Sequence, residues 1–373
     1  MENWKTVRLG DVCEILDSKR IPITAHERKK GEYPYYGANG VQDYVADYIF
    51  DDELVLLAED GGNFGSKEKP IAYRVSGKCW VNNHAHVLKP KECLDVDYLC
   101  DSIKFYDVST LVNGATRQKL TQSAMVEMRI PLPPLETQKH IAAVLDKCTA
   151  LIAKHKRMLE KYDTLVKSRF IEMFGDPIQN PMGWEKNELG NMCKEVRYGT
   201  SKPATENGKY TYLRMNNITF EGELDLANTK TIDISDEELP KCSVQKGDIL
   251  FNRTNSIELC GKTCLYKLDE TMVIAGYIIR VRVNEKLNPQ YVSTFFNTKS
   301  IKKLLREMAK GAVNQANINA QEMQSIQIPV PPIALQNEYD GFVQQIDKSK
   351  FAVQKSLEKA ETLYKSLMQE YFC

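Results

Sequence analysis

Hydrophobic residues recur at alternating spacings of three and four along two long stretches of the chain. No Pro or Gly interrupts the first stretch between Glu136 and Phe174. Its regularly spaced positions are Leu145, Cys148, Ile152, His155, Leu159, Tyr162, Val166 and Arg169. Adding 198 to each number gives the second set, which is Val343, Ile346, Lys350, Val353, Leu357, Ala360, Tyr364 and Leu367. This spacing is typical of a coiled-coil seam, so we predict two long helices that pack against each other.

The alternative is an ordinary amphipathic helix that packs on its own domain, which would need a broader apolar face than either stretch has. The rest of each half has short β-prone runs such as ELVLLAED (Glu53–Asp60) and KGDILFNR (Lys246–Arg253), separated by turn residues. Two segments, Asp95–Phe105 and Ser300–Gly311, have helical patterns and are predicted to be equivalent. The pattern predicts a mostly-β domain before each long helix.

The two halves repeat each other. IPLPPLETQ at 130–138 matches IPVPPIALQ at 328–336, and the segment Trp4–Ile15 matches Trp184–Val196. Proline holds the preceding residue extended and is favoured in the first helical turn. Each proline stretch is therefore expected to end a β domain and to begin a long helix in a fixed direction.

We predict an α+β fold made by tandem duplication, with a pseudo-two-fold axis and the two long helices antiparallel. Gly175 and Pro177 stop the first helix and lead directly into the second β domain. The predicted segments are a first β domain, a first helix, a second β domain and a second helix, at 1–134, 135–175, 176–332 and 333–373.

Composition and charge indicate a globular protein without a large basic surplus. The chain has 42% hydrophobic and 27% charged residues, and its 50 Lys and Arg balance 50 Asp and Glu. The balance argues against non-specific coating of nucleic acid. The start, MENWKTVRLG, lacks the apolar core of an export signal. We therefore expect a cytoplasmic protein whose ten scattered cysteines are reduced thiols.

No catalytic constellation is evident in the sequence. LCGKTC (Leu259–Cys264) has Ser256 where a phosphate-binding loop needs its first Gly. The tetrapeptide with which amino-methyltransferases grip a flipped base is missing, as is G-x-G-x-x-G. His84-x-His86 could begin a metal site, but no further ligands stand at suitable spacing. We expect no catalytic residue, no metal and no cofactor in this chain.

Loops in equivalent places of the two halves carry different polar residues. NGATRQKLTQ at 113–122 corresponds to KGAVNQANIN at 310–319, and DSKRIPIT at 17–24 corresponds to RYGTSKPAT at 197–205. Arg, Lys, Asn and Gln can read base edges in the major groove, while Gly amides and hydroxyls suit phosphates. A solvated turn is the alternative for each loop taken singly.

The predicted nucleic-acid-binding residues lie in both halves of the chain. Those in the first half are Ser18, Lys19, Arg20, Tyr35, Tyr36, Asn39, Asn83, His84, Arg117 and Lys119. Those in the second half are Arg197, Tyr198, Ser201, Lys202, Arg214, Asn216, Arg253, Asn255, Asn314, Gln315 and Asn317.

These features resemble the specificity subunit of a type I DNA restriction–modification system. The sequence segments that carry the resemblance in the first half are YYGANG, WVNNHAHVL, IPLPPLETQKHIAAVLDK and FGDP. In the second half they are GDILFNR, GKTCLY and IPVPPIALQ. The resemblance extends over essentially the whole chain, and tandem duplication is itself typical of the family.

The resemblance implies that each β domain is a target-recognition domain that reads one half of an asymmetric bipartite site in double-stranded DNA. It implies that the helices set the gap between half-sites and dock two modification (methyltransferase) subunits. S-adenosylmethionine would bind those subunits, and a restriction subunit would use ATP and Mg. The subunit itself would be non-catalytic. The alternative is a two-headed adaptor for protein or RNA without a methyltransferase partner.

Overall fold

The computed structural model describes residues 4–66, 68–114, 117–312 and 315–372. Its backbone contacts divide the chain into two compact units. Unit 1 contains residues 1–156 and 355–373, and unit 2 contains residues 157–354. Each long helix therefore contributes one part to each unit. None of the helices in the described ranges is both long and apolar enough to cross a membrane.

The first half of the chain is mainly short strands that lead into one long helix. The strands are β1 Thr6–Arg8, β2 Cys13–Ile15, β3 Lys30–Gly37, β4 Gly40–Val45, β5 Phe50–Ala58, β6 Ala72–Val81, β7 Ala85–Pro90, β8 Val112–Asn113, β9 Lys119–Leu120 and β10 Arg129–Pro131. The helices are α1 Leu9–Val12, α2 Val96–Ile103, α3 Gln122–Val126 and α4 Leu135–Phe174.

The second half follows the same plan. The strands are β11 Lys186–Glu188, β12 Cys193–Tyr198, β13 Tyr210–Leu213, β14 Lys230–Ile232, β15 Ser243–Val244, β16 Ile249–Asn252, β17 Thr254–Asn255, β18 Thr263–Leu265, β19 Met272–Ile274, β20 Ile278–Val283, β21 Lys310–Ala312, β22 Gln315–Asn317 and β23 Gln327–Pro329. The helices are α5 Leu239–Cys242, α6 Pro289–Asn297, α7 Lys299–Met308, α8 Ala320–Gln324 and α9 Ile333–Phe372.

A six-stranded sheet in the order β2-β7-β5-β6-β3-β4 forms the centre of unit 1. Successive side chains of a strand point to opposite faces. Leu54 and Leu56 of β5 therefore join one hydrophobic core, and Val55 and Leu57 join another. Because both faces of the sheet are covered, this strand is a continuous apolar run and does not alternate with polar residues.

Unit 2 has a four-stranded sheet in the order β12-β20-β16-β18, with further sheets β14-β13-β19-β15 and β17-β22-β21. Its strand β16 repeats the arrangement of β5. Ile249 and Phe251 face one core, and Leu250 faces the other. The central strand of each sheet thus separates two cores.

The strand register confirms the tandem duplication. In unit 1, β1 and β10 pair antiparallel, with Thr6 opposite Pro131. In unit 2, β11 and β23 pair antiparallel, with Lys186 opposite Pro329. The offsets between these pairs are 186 − 6 = 180 and 329 − 131 = 198, the offsets at which the sequence repeats.

The glutamine after each proline stretch is fully buried and joins the long helix to its β domain. Gln138 Oε1 accepts from the N–H of Asp95 at 2.8 Å, and its Nε2 donates to the carbonyls of Cys93 and Pro133 at 3.0 and 2.8 Å. Asp95 caps α2 by accepting from the N–H groups of its first turn. The carboxamide therefore fixes the first turn of α4 to the start of α2.

Gln336 makes the same three bonds in unit 2. Its Oε1 accepts from the N–H of Asn288 at 2.8 Å, and its Nε2 donates to the carbonyls of Lys286 and Pro331 at 3.0 and 2.7 Å. Asn288 caps α6. The equivalent of α2 is therefore α6, and the prediction that Ser300–Gly311 is its equivalent was wrong: α7 is an additional helix that follows α6.

The predicted seam positions on α4 and α9 are all buried or half-buried. In unit 1, Lys156 Nζ lies 3.0 Å from a carboxylate oxygen of Glu361. In unit 2, Lys350 Nζ lies 2.7 Å from Asp163 Oδ1, while Arg169 lies 3.6 Å from Glu338. Residue numbers rise along α4 as they fall along α9, so the helices are antiparallel in unit 2.

Lys350 occupies a polar position of the seam, and its ammonium group is paired with carboxylates there. A second carboxylate, that of Glu223, lies 2.9 Å from its Nζ. Burial alone would lower the pKa of Lys350, but Glu223 and Asp163 outweigh burial and raise it. The Lys350 side chain is 21% exposed and that of Asp163 is 39% exposed, so the pair is half-buried. It favours one register of the two helices, since a slip would separate its charges.

Replacing Gln138 with Ala should destabilise unit 1, because three backbone groups lose their partner. Each buried polar group left unpaired costs about 1–3 kcal/mol. We expect the free energy of unfolding to fall by at least about 2 kcal/mol, and Gln336→Ala should cost a similar amount in unit 2. Chemical denaturation of the full chain measures both losses.

Gln344 lies exposed on α9 and provides the matched control. Gln344→Ala should change the free energy of unfolding by less than about 0.5 kcal/mol. A Gln138→Ala variant as stable as this control would show that the carboxamide does not hold the joint.

Candidate nucleic-acid interface

One backbone hydrogen bond places a charged residue at equivalent points of the two units. The N–H of Leu120 donates to the carbonyl of Glu59 at 2.7 Å, and the N–H of Ile318 donates to the carbonyl of Arg253 at 2.9 Å. Each acceptor residue follows the central strand of its unit directly, β5 or β16. The shared framework therefore presents an acidic residue in unit 1 and a basic residue in unit 2.

Loop residues of unit 1 converge on Asp60. Its Oδ1 lies 2.7 Å from His84 Nδ1 and 2.7 Å from Arg117 Nη2. Asn39 Nδ2 donates to the carbonyl of Gly61 at 3.0 Å. Arg117 is 61% exposed and His84 is 35% exposed, so both side chains reach the surface. Three residues predicted from separate loops thus form one polar surface.

A buried network of charges supports this surface from below. His86 Nδ1 lies 2.6 Å from Asp17 Oδ2, and its Nε2 lies 2.9 Å from a backbone carbonyl. Arg20 Nη1 and Lys119 Nζ lie 2.5 and 2.9 Å from the two carboxylate oxygens of Glu59. Burial alone would raise the pKa of Asp17 and Glu59. Hydrogen bonds and the neighbouring cations outweigh burial, so the pKa of both carboxyl groups is lowered.

Asp17, Glu59 and His86 carry potential metal-ligand atoms within 4.8 Å of one another. These atoms already have partners, because both ring nitrogens of His86 face oxygen acceptors and Arg20 and Lys119 pair with Glu59. The cluster is therefore satisfied by cations of the chain. Arg20 is only 12% exposed, and we assign it to this network and not to the interface.

In unit 2, six predicted residues line one open depression of about 800 Å³. They are Tyr198, Ser201, Lys202, Arg214, Arg253 and Asn317. The depression lies among the loop after β12, the residues after β16 and the strand β22. The sequence places these residues far apart, and the fold brings them together.

A network of ion pairs lies on the β12–β20–β16 sheet of unit 2. Arg282 donates to both oxygens of Asp248 at 2.6 and 3.0 Å, and to Glu195 at 2.8 Å. Arg280 is 1% exposed and lies 3.1 Å from Glu195. The predicted Arg197 also pairs with Glu195, so its charge is partly neutralised.

Several predicted residues lie outside these two surfaces or are occupied elsewhere. Tyr35 is 1% exposed and its hydroxyl bonds to the backbone of Ile23, so we assign it to the core. Tyr36 packs on Tyr73 with ring centroids 5.7 Å apart. Asn255 Nδ2 donates to a neighbouring side chain, that of Asn252.

The remaining predicted residues have simpler positions. Ser18, Lys19, Asn83 and Asn216 have exposed side chains. Asn314 and the side chain of Gln315 lie outside the described part of the chain.

Asp60 and Tyr277 are among the residues of these surfaces that sequence reasoning missed. Asp60 lies in the loop two residues after the apolar strand β5, and loop residues often carry function. Tyr277 is 47% exposed and lines the depression of unit 2. It follows Gly276, and this pair interrupts a long apolar run, which is a turn signal that could have identified it.

The model of the family described as type I restriction modification DNA specificity domain matches residues 1–161 and again residues 181–361. A Haemophilus influenzae protein named as a type I restriction enzyme specificity subunit is 27% identical, over 98% of this chain and 89% of its own length. The specificity subunit of the type I restriction enzyme EcoKI from Escherichia coli K12 is 23% identical, over 86% of this chain and 74% of its own.

Solved structures share the fold. The crystal structure of the S subunit of a type I restriction–modification system from M. genitalium superposes with a TM-score of 0.63 at 15% identity. The match covers 100% of this chain and 96% of that one. The overall fold is thus one that this chain shares with a solved protein.

Replacing Asp17 with Asn should destabilise unit 1 near neutral pH by about 3 kcal/mol, because it breaks a buried charged pair. The folded pKa of Asp17 lies below its unfolded value. Its contribution is therefore complete above about pH 4 and is lost as pH falls through the folded pKa. The difference between wild type and Asp17→Asn should shrink in acid, as measured by denaturation from pH 7 to pH 3.

Asp11 provides the control, since its pair with Arg8 is exposed. Asp11→Asn should leave stability unchanged at neutral pH. A stability difference for Asp17→Asn that stays constant across this pH range would contradict the assignment of an ionised, buried Asp17.

Proposed function

This chain belongs to the type I restriction–modification DNA specificity family, and we propose that it reads an asymmetric bipartite site in double-stranded DNA. Unit 1 reads one half-site and unit 2 reads the other. The observation that carries the proposal is the pair of equivalent surfaces, built on one framework with different polar residues.

The chemistry of the two surfaces supports two different half-sites. Lys119 and Asn317 stand at equivalent points, since the strand that ends in Leu120 corresponds to the strand that leads to Ile318. Lys119 pairs with the acidic Glu59, and Asn317 bonds the basic Arg253. A carboxylate neutralised within unit 1 and a guanidinium open to a ligand in unit 2 leave different groups for base edges, so the half-sites should differ.

We propose that α4 and α9 set the gap between the half-sites. Each helix has 40 residues, which at 1.5 Å per residue is about 60 Å. That length corresponds to roughly 17 base pairs of B-DNA at 3.4 Å each. The half-buried Lys350–Asp163 pair favours one register of the two helices, as a spacer of fixed length requires.

The proposal includes partners that supply catalysis. Two modification (methyltransferase) subunits would dock on the helices and bind S-adenosylmethionine, and a restriction subunit would use ATP and Mg. This chain would be non-catalytic and would act in the cytoplasm beside the host DNA. Its 50 basic and 50 acidic residues support shared binding, because proteins that hold DNA through phosphates alone need a surplus of cations.

Methylation mapping tests the reading function. A host that expresses this chain with its modification subunits should methylate one bipartite sequence with a constant gap. Exchanging residues 1–134 for those of a relative should change one half-site and leave the other unchanged. If both half-sites change, the assignment of one half-site to each unit is wrong. If no sequence is methylated although the subunits co-purify, the proposal that this chain reads DNA is wrong.

The spacer role is tested by shortening both helices together. Deleting residues 155–161 and 353–359 removes one heptad from equivalent places in α4 and α9. About 10 Å of helix is lost, so the gap should shorten by up to about 3 base pairs. Methylation mapping should show unchanged half-sites. An unchanged gap, or altered half-sites, would contradict the spacer role.

A further inference from the structure

Three cations line the depression of unit 2, and one of them, Lys202, pairs with Glu238 outside the lining. Lys202, Arg214 and Arg253 contribute to it, and no Asp or Glu is among its lining residues in the described ranges. Arg214 Nε is buried without a hydrogen-bond partner in the described structure. Tyr198 and Tyr277 on the lining are 42% and 47% exposed. The depression therefore suits a ligand that is flat and rich in hydrogen-bond acceptors.

Arg253 is the best-positioned donor in the depression. Its guanidinium lies over the ring of Tyr198, with 4.9 Å from the guanidinium carbon to the ring centroid. Its Nε donates to Asn317 Oδ1 at 3.1 Å, and its Nη1 donates to the carbonyl of Gly276 at 3.4 Å. Stacking and these bonds fix the plane of the guanidinium, while N–H groups on both terminal nitrogens stay available.

The supports of Arg253 are themselves held in place. The Tyr198 hydroxyl accepts from the N–H of Ala320 at 2.9 Å, at the start of α8. Asn317 Oδ1 accepts a second hydrogen bond from the Thr254 hydroxyl at 2.9 Å. The backbone of Arg253 is fixed by its N–H to the carbonyl of Tyr277 and by its carbonyl to the N–H of Ile318. The Arg253 guanidinium is thus oriented before any ligand binds.

Asn317 is excluded from reading adenine by the same bonds. An Asn that reads adenine needs its oxygen free to accept from the base and its nitrogen free to donate. Both lone pairs of Asn317 Oδ1 are used by Arg253 and Thr254. Asn317 therefore acts on Arg253, as a positioning residue.

We propose that Arg253 reads a guanine in the half-site of unit 2, through a bidentate contact to the guanine O6 and N7 atoms. Tyr198 and Asn317 position its guanidinium. The inference rests on the proposed DNA-reading function and adds to it one base and one residue. Unit 1 has Glu59 at the equivalent point, so its half-site lacks this contact.

A backbone phosphate has acceptors of the same kind, and the two ligands differ in sequence dependence. A guanine contact changes the preference at one base pair, by roughly 5- to 150-fold. A phosphate contact changes affinity about equally for all sequences and reduces the salt slope by about 1. The guanidinium plane matches either ligand, so the base dependence of binding decides between them.

Selection from randomised DNA duplexes tests the assignment. The full chain, with the host subunits that co-purify, should select two half-sites, one of which contains a G·C pair that depends on Arg253. Arg253→Ala should reduce the preference at that pair roughly 5- to 150-fold and leave other positions unchanged. Arg253→Lys keeps the positive charge but lacks the two parallel N–H donors of a guanidinium. It should therefore also lose the preference for the G·C pair while it retains most of the affinity for DNA.

Further variants separate positioning from general damage. Asn317→Asp keeps an acceptor for Arg253 and should keep the guanine preference, whereas Asn317→Ala should weaken it. Arg306 is exposed in the last turn of α7 and does not line the depression, so Arg306→Ala is the control for loss of one charge. Thermal unfolding checks that each variant is folded. If Arg253→Ala does not fold, the Arg253→Lys variant decides whether Arg253 reads guanine.

The outcomes are distinguishable. If wild type selects two half-sites and the Arg253 variants keep every base preference, the guanine assignment is wrong and DNA reading stands. Uniform weakening with a smaller salt slope would identify a phosphate contact and also overturn the assignment. If wild type selects no sequence, the proposed function fails and the assignment fails with it.

Discussion

The fold of each unit depends on one buried carboxamide. Gln138 and Gln336 connect a proline-led helix start to the capped start of a helix in the β domain, each with one accepted and two donated hydrogen bonds. A carboxamide can do this because it offers a donor and an acceptor side by side. The prolines fix the direction in which the chain enters the long helix, and the glutamine fixes the position of the first turn of that helix. The joint links the position of each β domain to that of a long helix.

The duplication keeps this joint and changes the chemistry on the opposite part of the domain. In both units the residue after the central strand accepts the same backbone hydrogen bond, and it is Glu59 in one and Arg253 in the other. In unit 1 the carboxylate is surrounded by Arg20, Lys119 and His86 and is neutralised within the protein. In unit 2 the guanidinium is held by Tyr198 and Asn317 and has no carboxylate partner among the residues that the structure describes, so it is available to a ligand. Recognition can diverge because the framework does not depend on these side chains.

The sequence was sufficient for features that repeat or are local, and insufficient for long-range contacts. The 3–4 spacing and the paired proline stretches predicted the helices and the duplication. The equivalence of α2 and α6 was missed because the apolar pattern of α6 (NPQYVSTFFN) is less regular than that of α7. For that reason α7 was predicted to be the equivalent of α2. The Asp17–His86 pair joins residues 69 positions apart, and the Arg253–Asn317 bond joins residues 64 apart. Asn317 was therefore predicted as a reader, although its oxygen is committed to Arg253.

Hydrogen–deuterium exchange on a cognate duplex tests most directly the claim that each unit reads its own half-site. A duplex with both half-sites should slow exchange at 59–62 and 82–84 in unit 1 and at 198–203 and 253–255 in unit 2. Changing the bases of one half-site should remove protection from the segments of one unit and leave the other protected. Equal loss of protection in both units, or protection of neither set by the intact site, would contradict the account.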